Sequence, residues 1–283
     1  MGQIMKGKTV VITGATSGIG EVAARELAGM GARVVLVARD PARAEATLAQ
    51  LRAINANASH SAHYGDLSRL ADMKRMGLEI AAAEPRIDVL INNAGALFGS
   101  REVTEDTWER TFATNHMAYF VLTHMLRERL TLSRARIVNT SSSAHKGCSI
   151  DFDDLQSAKR YSPLEVYGRS KLCNIMFTRE LARRWGKEGV TANCFHPGFV
   201  ASRFGAGSGG LIARLIAVGR TFAISPEKGA QTLVYLASSP EVSKVSGAYF
   251  YKCRAATPSA RARDDVAAGR LWAESAKLAG IDG

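Results

Sequence analysis

Short runs of branched apolar residues alternate along the chain with longer segments whose apolar positions recur every three or four residues. Thr9-Val10-Val11-Ile12-Thr13 and Arg33-Val34-Val35-Leu36-Val37 are unbroken runs of strand length. Similar pieces recur at Ser61 to Tyr64, Ile87 to Asn92, Arg136 to Thr140, Val190 to Phe195 and Gly247 to Tyr251. Helical periodicity fills the gaps, most clearly over Glu21 to Met30, Ala42 to Asn57, Thr107 to Leu130 and Glu165 to Trp185. Continuous apolar strands separated by helices predict a parallel sheet covered on both faces, which is a doubly wound α/β fold. Gly205 to Gly210 is the one Gly/Ser-rich stretch and is too short to separate domains, and no long repeat is visible. A single domain over 1–283 is therefore expected, with 1–142 mainly holding a cofactor and 143–283 mainly supplying catalysis and the substrate pocket.

Composition narrows the class. Apolar residues make up 46% of the 283 residues and charged residues 22%, ordinary values for a chain with a large core. No apolar run is long enough to span a bilayer, and the first residues lack the apolar stretch of a signal peptide. Cys148, Cys173, Cys194 and Cys253 lack CxxC spacing and read as reduced thiols, so a cytoplasmic protein is expected. Lys plus Arg is 37 against 26 acidic residues, giving +11. The basic residues are scattered, without a stripe or interleaved aromatics, so nucleic acid is not the expected partner.

The first strand runs directly into Gly14-Ala15-Thr16-Ser17-Gly18-Ile19-Gly20 and then a helix. Glycines at such a junction allow a tight turn and let a pyrophosphate approach the backbone over a helix N-terminus. A glycine-rich turn alone is weak, but its place in a βαβ unit points to a dinucleotide. The second strand ends at Val37-Ala38-Arg39-Asp40, where a ribose-reading residue belongs. Arg39 favours the 2′-phosphate of NADP and Asp40 would favour NAD, yet Asp40 precedes Pro41 and also fits as a helix cap. NADP is the expected cofactor, with NAD the alternative.

Tyr167 and Lys171 form a Tyr-x-x-x-Lys pair on a predicted helix, one turn apart on the same face. An isolated tyrosine titrates near ~10, and a neighbouring cation is expected to lower it toward the working range. Tyr161 competes for the role, but position 165 is Glu165 and not lysine. The strand Arg136 to Thr140 leads into Ser141-Ser142-Ser143, hydroxyls at the carboxyl edge of the sheet, where α/β folds bind ligands. The histidines form no HExxH motif, His60 and His63 fall on opposite faces of a strand, and no metal site is expected. No G-x-S-x-G nucleophile elbow is present.

The Thr13-Gly14-x-x-x-Gly18-x-Gly20 spacing, with the Tyr-Lys pair, resembles the short-chain dehydrogenase/reductase family along essentially the whole chain. The segment before Tyr167 (Asp154-Leu155-Gln156 through Arg160-Tyr161-Ser162) resembles an insertion in its retinol dehydrogenase-like branch. The resemblance implies a Rossmann-type sheet and roles for further residues. Asp66 and Leu67 would contact the adenine. Asn92-Asn93-Ala94-Gly95 would steady the sheet and line the cofactor pocket. His196-Pro197-Gly198, with Val200 and Ser202, would hold the nicotinamide carboxamide, and Ser202 stands where the family usually has threonine. Aligning Asn139-x-Ser-Ser-x-Ala-His145 makes Ser142 the serine that polarises the substrate oxygen, with Ser141 as the alternative. Asn115 would hold a water that links Lys171 to solvent.

Hydride exchange between a nicotinamide and a carbonyl or alcohol is the implied chemistry. Reduction of a carbon–carbon double bond, as in protochlorophyllide reductases, and a non-catalytic dinucleotide sensor are the alternatives. The segment 199–224 carries Phe204, Leu211, Ile212, Leu215, Ile216 and Phe222, which fits either a substrate lid over an apolar pocket or an ordinary surface helix. The family also implies pairing of the two long helices across a twofold axis. Met117, Phe120, Val121, Cys173, Met176 and Phe177 widen their apolar stripes beyond one face and point to a homodimer.

Overall fold

A computed structural model describes residues 3–200 and 223–282. Eight strands form one sheet in the order β3-β2-β1-β4-β5-β6-β7-β8. They are β1 (Thr9–Thr13), β2 (Arg33–Ala38), β3 (Ser61–Tyr64), β4 (Val89–Asn92), β5 (Arg136–Thr140), β6 (Thr191–His196), β7 (Tyr249–Tyr251) and β8 (Arg254–Ala256). Every pairing is parallel except the last, between β7 and β8. The expected α/β, Rossmann-type single domain is the architecture found, with an antiparallel edge added. That edge is made by a two-residue turn in which Lys252 and Cys253 both have positive φ, 51° and 59°. Such a turn matches strand twist and normally takes Asn-Gly, so these two residues gave no signal.

Alternation within strands divides the core in two. Val11, Val35, Val37, Leu90 and Ile137 face one layer, whereas Val10, Ile12, Val34, Leu36, Ile91 and Val138 face the other. On the second face lie α1 (Gly18–Gly29), α2 (Pro41–Ile54) and α8 (Pro226–Ser238). The first face carries α3 (Leu70–Ala83), α4 (Arg110–Phe112), α5 (Ala118–Met125), α6 (Arg127–Leu132), α7 (Pro163–Trp185) and α9 (Asp265–Ala279). The stretch expected as one helix from Thr107 to Leu130 is broken. A π turn occupies Ala113–Met117, and a second interruption falls at Leu126.

Helix α9 changes the reading of the long helices. Trp272 lies 5.2 Å from Phe120 and 5.8 Å from Phe177 between ring centres, and it also meets His124 and Trp185. Met117, Phe120, Val121, Cys173, Met176 and Phe177 are all buried within the one chain. Their wide stripes serve two partners, the sheet and α9, so the apolar surface on which the dimer expectation rested is already covered. The four cysteines are free thiols. Among the described residues no helix is long and apolar enough to cross a membrane. Ser202 and most of the segment 199–224 lie outside the described residues.

Candidate active site

Parallel strands deliver the ends of β1, β4, β5 and β6 to one edge of the sheet. At β1 the chain turns through Gly14 and Gly18, with φ of +69° and +58°, the left-handed region that favours glycine. Ser17 precedes α1 without capping it through its side chain, so the N–H groups of the first turn are not occupied by that hydroxyl. A Cβ on Gly20 would stand 2.3 Å from the Gly14 carbonyl oxygen and 2.5 Å from Asn93 Nδ2, so turn and helix fit only around bare backbone. The same closeness leaves bare backbone at a helix N-terminus, the kind of cradle that can receive a pyrophosphate. Ile19 and Val200 meet at α8, where a Cβ on Gly229 would stand 2.8 Å and 2.6 Å from their methyl groups.

The two asparagines after β4 divide the labour. Asn92 is buried and donates to Asn139 Oδ1 at 2.9 Å and Thr123 Oγ1 at 3.1 Å, tying β4 to β5 and α5. Asn93 donates to the carbonyls of Thr13 and Gly14, both at 3.2 Å, and accepts from Thr140 Oγ1. The Thr13 hydroxyl in turn receives the backbone N–H groups of Asn93 and Ala94 at 2.9 and 3.0 Å. Gly95 opens toward the catalytic helix, where a Cβ would stand 3.2 Å from Lys171 Nζ and from Asn115 Oδ1.

At the end of β2, Arg39 is exposed. Asp40 accepts from the Arg43 N–H at 3.2 Å as the cap of α2, with Pro41 in the first turn. This is the cap reading of Asp40, and it leaves Arg39 unencumbered by that carboxylate's capping duty. Arg43 donates through Nη2 to the Thr16 carbonyl at 2.8 Å, a second cation beside the glycine turn that sequence reading missed. Its signal was an arginine one helical turn past Arg39. Asp66 is half-buried and accepts twice from Ser68, through N and Oγ at 2.8 Å. Leu67 is half-buried beside it. Gly198 turns with φ of +93°, next to Pro197.

The proposed tetrad meets above β5. Ser141 is buried and its hydroxyl donates to the Lys171 carbonyl at 2.9 Å, whereas Ser142 is half-buried and hydrogen-bonds with Tyr167. Lys171 is 2% exposed. Its Nζ donates to the Thr140 carbonyl at 3.2 Å and stands 5.6 Å from the centre of the Tyr167 ring. Burial pushes Lys171 down to about 7 and Tyr167 up to about 12, the Ser142 bond opposing the second shift. The expectation of a lowered tyrosine is thus reversed here, because desolvation of the phenolate outweighs a lysine that burial also drives toward its neutral form. Asn115 sits in the π turn. It accepts from the Ala96 N–H at 2.8 Å and donates to the Ala96 carbonyl and to Ser170 Oγ, joining the β4 loop to α7. Tyr161 donates instead to the Phe98 carbonyl at 3.0 Å, away from any lysine partner of its own. Among the described residues no group of three or more His, Cys, Asp or Glu side chains is arranged to hold a metal ion.

A family model described as short chain dehydrogenase matches residues 8–208. Human retinol dehydrogenase 13 is 40% identical over 283 residues, covering 98% of this chain and 86% of its own. A solved protein from Mycobacterium paratuberculosis superposes with a TM-score of 0.78 at 32% identity, covering 98% of this chain and 95% of its own. Another from Beutenbergia cavernae, solved with NADP bound at low occupancy, gives 0.72 at 27% identity and covers 89% and 97%. With the glycine turn, the asparagine pair and the Tyr–Lys helix all at one sheet edge, the chain belongs to the short-chain dehydrogenase family, in its retinol dehydrogenase-like branch, and is an NAD(P)-dependent oxidoreductase of alcohol and carbonyl groups.

Proposed function

We propose that the chain is an NADP-preferring dehydrogenase or reductase of apolar aldehydes, ketones or the matching alcohols. The observation that carries this reading is the buried Lys171 beside the Thr140 carbonyl and Tyr167, with Ser142 hydrogen-bonded to the tyrosine. When bound, the dinucleotide supplies or accepts the hydride and, in its oxidised form, brings positive charge to the pocket. Gly14, Ser17, Gly18, Ile19 and Gly20, with Arg43 beside the turn, would cradle its pyrophosphate, and Arg39 its phosphorylated ribose. Asp66 and Leu67 would border the adenine. Asn93, Ala94, Gly95, Pro197, Gly198 and Val200 would border the rest, with Lys171 and Tyr167 at the nicotinamide ribose. Residues 1–142 thus mainly hold the cofactor, and the later residues mainly act on substrate.

Ser142 donates a hydrogen bond to the substrate oxygen and sets its distance from Tyr167. A tyrosine held near 12 keeps its proton at neutral pH, which suits a donor to the oxygen of a carbonyl as hydride arrives. In the alcohol direction Tyr167 must lose that proton, and a protonated Lys171 beside it lowers the cost. Asn115, held by Ala96 and Ser170, marks the side from which a water reaches Lys171 and returns the proton to solvent. Retinol dehydrogenase as the name of several relatives, together with the half-buried Phe98 and exposed Phe199 near the site loops, supports an apolar substrate.

The test is a panel of aliphatic, aromatic and isoprenoid aldehydes and ketones with NADPH and with NADH, followed by loss of reduced-cofactor absorbance. Turnover of apolar carbonyls with NADPH ahead of NADH is expected. Preference for NADH, or for polyols and sugars, overturns the finer reading.

A further inference from the structure

His145 closes the short turn that follows Ser142, and none of the roles above uses it. It is buried, at 0% exposure, and both ring nitrogens have partners. Nδ1 lies 2.6 Å from the backbone carbonyl oxygen of Ser142, and Nε2 lies 3.1 Å from the backbone nitrogen of Ser259. A carbonyl can only accept and an N–H can only donate. The ring is therefore neutral, with its hydrogen on Nδ1. The Ser142 carbonyl also receives the backbone N–H of His145 at 3.2 Å, so one residue clamps it twice. Across the ring's face, Tyr249 of β7 packs edge-on at 5.3 Å between centres.

This clamp bears on the side chain of Ser142. The residue is extended, with φ −157° and ψ 154°, and its hydroxyl accepts from the Ala144 N–H at 3.2 Å within the same turn. Rotating the 142–143 peptide would break the two bonds from His145 and swing Oγ relative to Tyr167. A misplacement of about 1 Å at a reacting group is enough to cost on the order of 10²-fold in rate. Ser259 lies on the segment between β8 and α9, which is pinned again where Arg261 Nη1 donates to the Gly147 carbonyl at 3.1 Å.

We propose that His145 is a positioning residue for Ser142, holding its backbone through Nδ1 while the Ser259 N–H fixes the ring, so that the segment after β8 helps build the catalytic site. The proposal rests on the reading of Ser142 as the serine that meets the substrate oxygen.

The experiment is a double-mutant cycle with cofactor binding measured separately by quenching of protein fluorescence. His145→Leu keeps the volume and removes the donor. It should lower kcat at least tenfold and leave the NADPH dissociation constant within about twofold. His145→Asn places an amide donor where Nδ1 stood and should recover kcat to within about threefold of the unaltered protein. In a Ser142→Ala background, His145→Leu should cost nothing further, because it acts through the hydroxyl already removed. Equal losses for Leu and Asn, additive losses in the Ser142→Ala background, or an effect on cofactor binding alone would each overturn the proposal. If His145→Leu does not fold, His145→Gln replaces it: the longer amide reaches the Ser259 side only, and a recovery equal to that of Asn overturns the proposal. Full activity of Ser142→Ala would overturn the reading of Ser142 itself, whereas loss there with full activity of His145→Leu would overturn only the positioning role.

Discussion

Lys171 and Tyr167 share one face of α7 with 5.6 Å between the ammonium nitrogen and the ring centre, and burial moves both toward their neutral forms. The phenol thus keeps its proton before any substrate arrives. Tyr167→Phe removes the donor and keeps the ring, so kcat should fall by about 10²–10⁴-fold while NADPH still binds. Retention of more than about a tenth of kcat, measured at saturating cofactor, counts against the assignment.

The lysine carries a cost of its own. Its folded value near 7 is below the ~10.5 of an exposed lysine, so between those limits the unfolded chain binds the extra proton and stability from this group rises with pH. Replacing this desolvated cation with an apolar side chain of similar length removes that cost. Lys171→Met should therefore raise the chemical-denaturation midpoint at pH 7 while abolishing turnover. A lowered midpoint would mean that the bond to the Thr140 carbonyl outweighs the desolvation.

The NADP proposal places cofactor choice at the end of β2. Arg39→Ala should weaken NADPH about tenfold or more and leave NADH nearly unchanged, since a guanidinium grips a phosphate in two places. Arg43→Ala should weaken both dinucleotides, because its guanidinium is tied to the Thr16 carbonyl of the turn that both use. Isothermal titration with each cofactor separates the two effects. Equal loss of both for Arg39→Ala would overturn the NADP reading.

Three histidines make the fold acid-sensitive. Burial lowers His116, His124 and His196 to about 4, from an ordinary value near 6.5. Between about 6.5 and 4 the unfolded chain takes up protons that the folded chain refuses, so stability falls as pH drops through this window. For the fully buried His116 the contribution is on the order of 3 kcal/mol. Urea midpoints from pH 7 to pH 4 should show the decline, and His116→Asn should flatten it. A curve unchanged by that substitution would refute the attribution.

Seven of the eight strands and the helices over Glu21 to Met30 and Glu165 to Trp185 were legible because unbroken apolar runs and 3.6-residue periodicity report burial directly. The turn at Gly14 to Gly20 and the Tyr167–Lys171 spacing were legible for a similar reason, since each is a local geometry written in neighbouring residues. What escaped depends on partners distant in sequence. The π turn around Asn115 leaves no break in periodicity. Ser141 and Ser142 are alike as letters, and they differ in contacts from distant sequence: the Lys171 carbonyl draws the first inward, and Tyr167 meets the second. His145 stood inside a motif, but its partner Ser259 is 114 positions away. Phe120 and Phe177 announced more apolar surface than the sheet needs, and the identity of the second cover came only with Trp272.

That second cover, α9, follows both α5 and α7 in the chain. During synthesis, α5 and α7 can dock on the sheet long before α9 leaves the ribosome, which leaves Phe120, Phe177, His124 and Trp185 facing water in the meantime. Exposed aromatic clusters of this kind are where nascent chains stick to one another. Docking of α9 therefore brings Trp272 onto a site encoded some 90 residues earlier, at Phe177 and Trp185, and a chain stopped before Asp265 would leave that helical face unsealed.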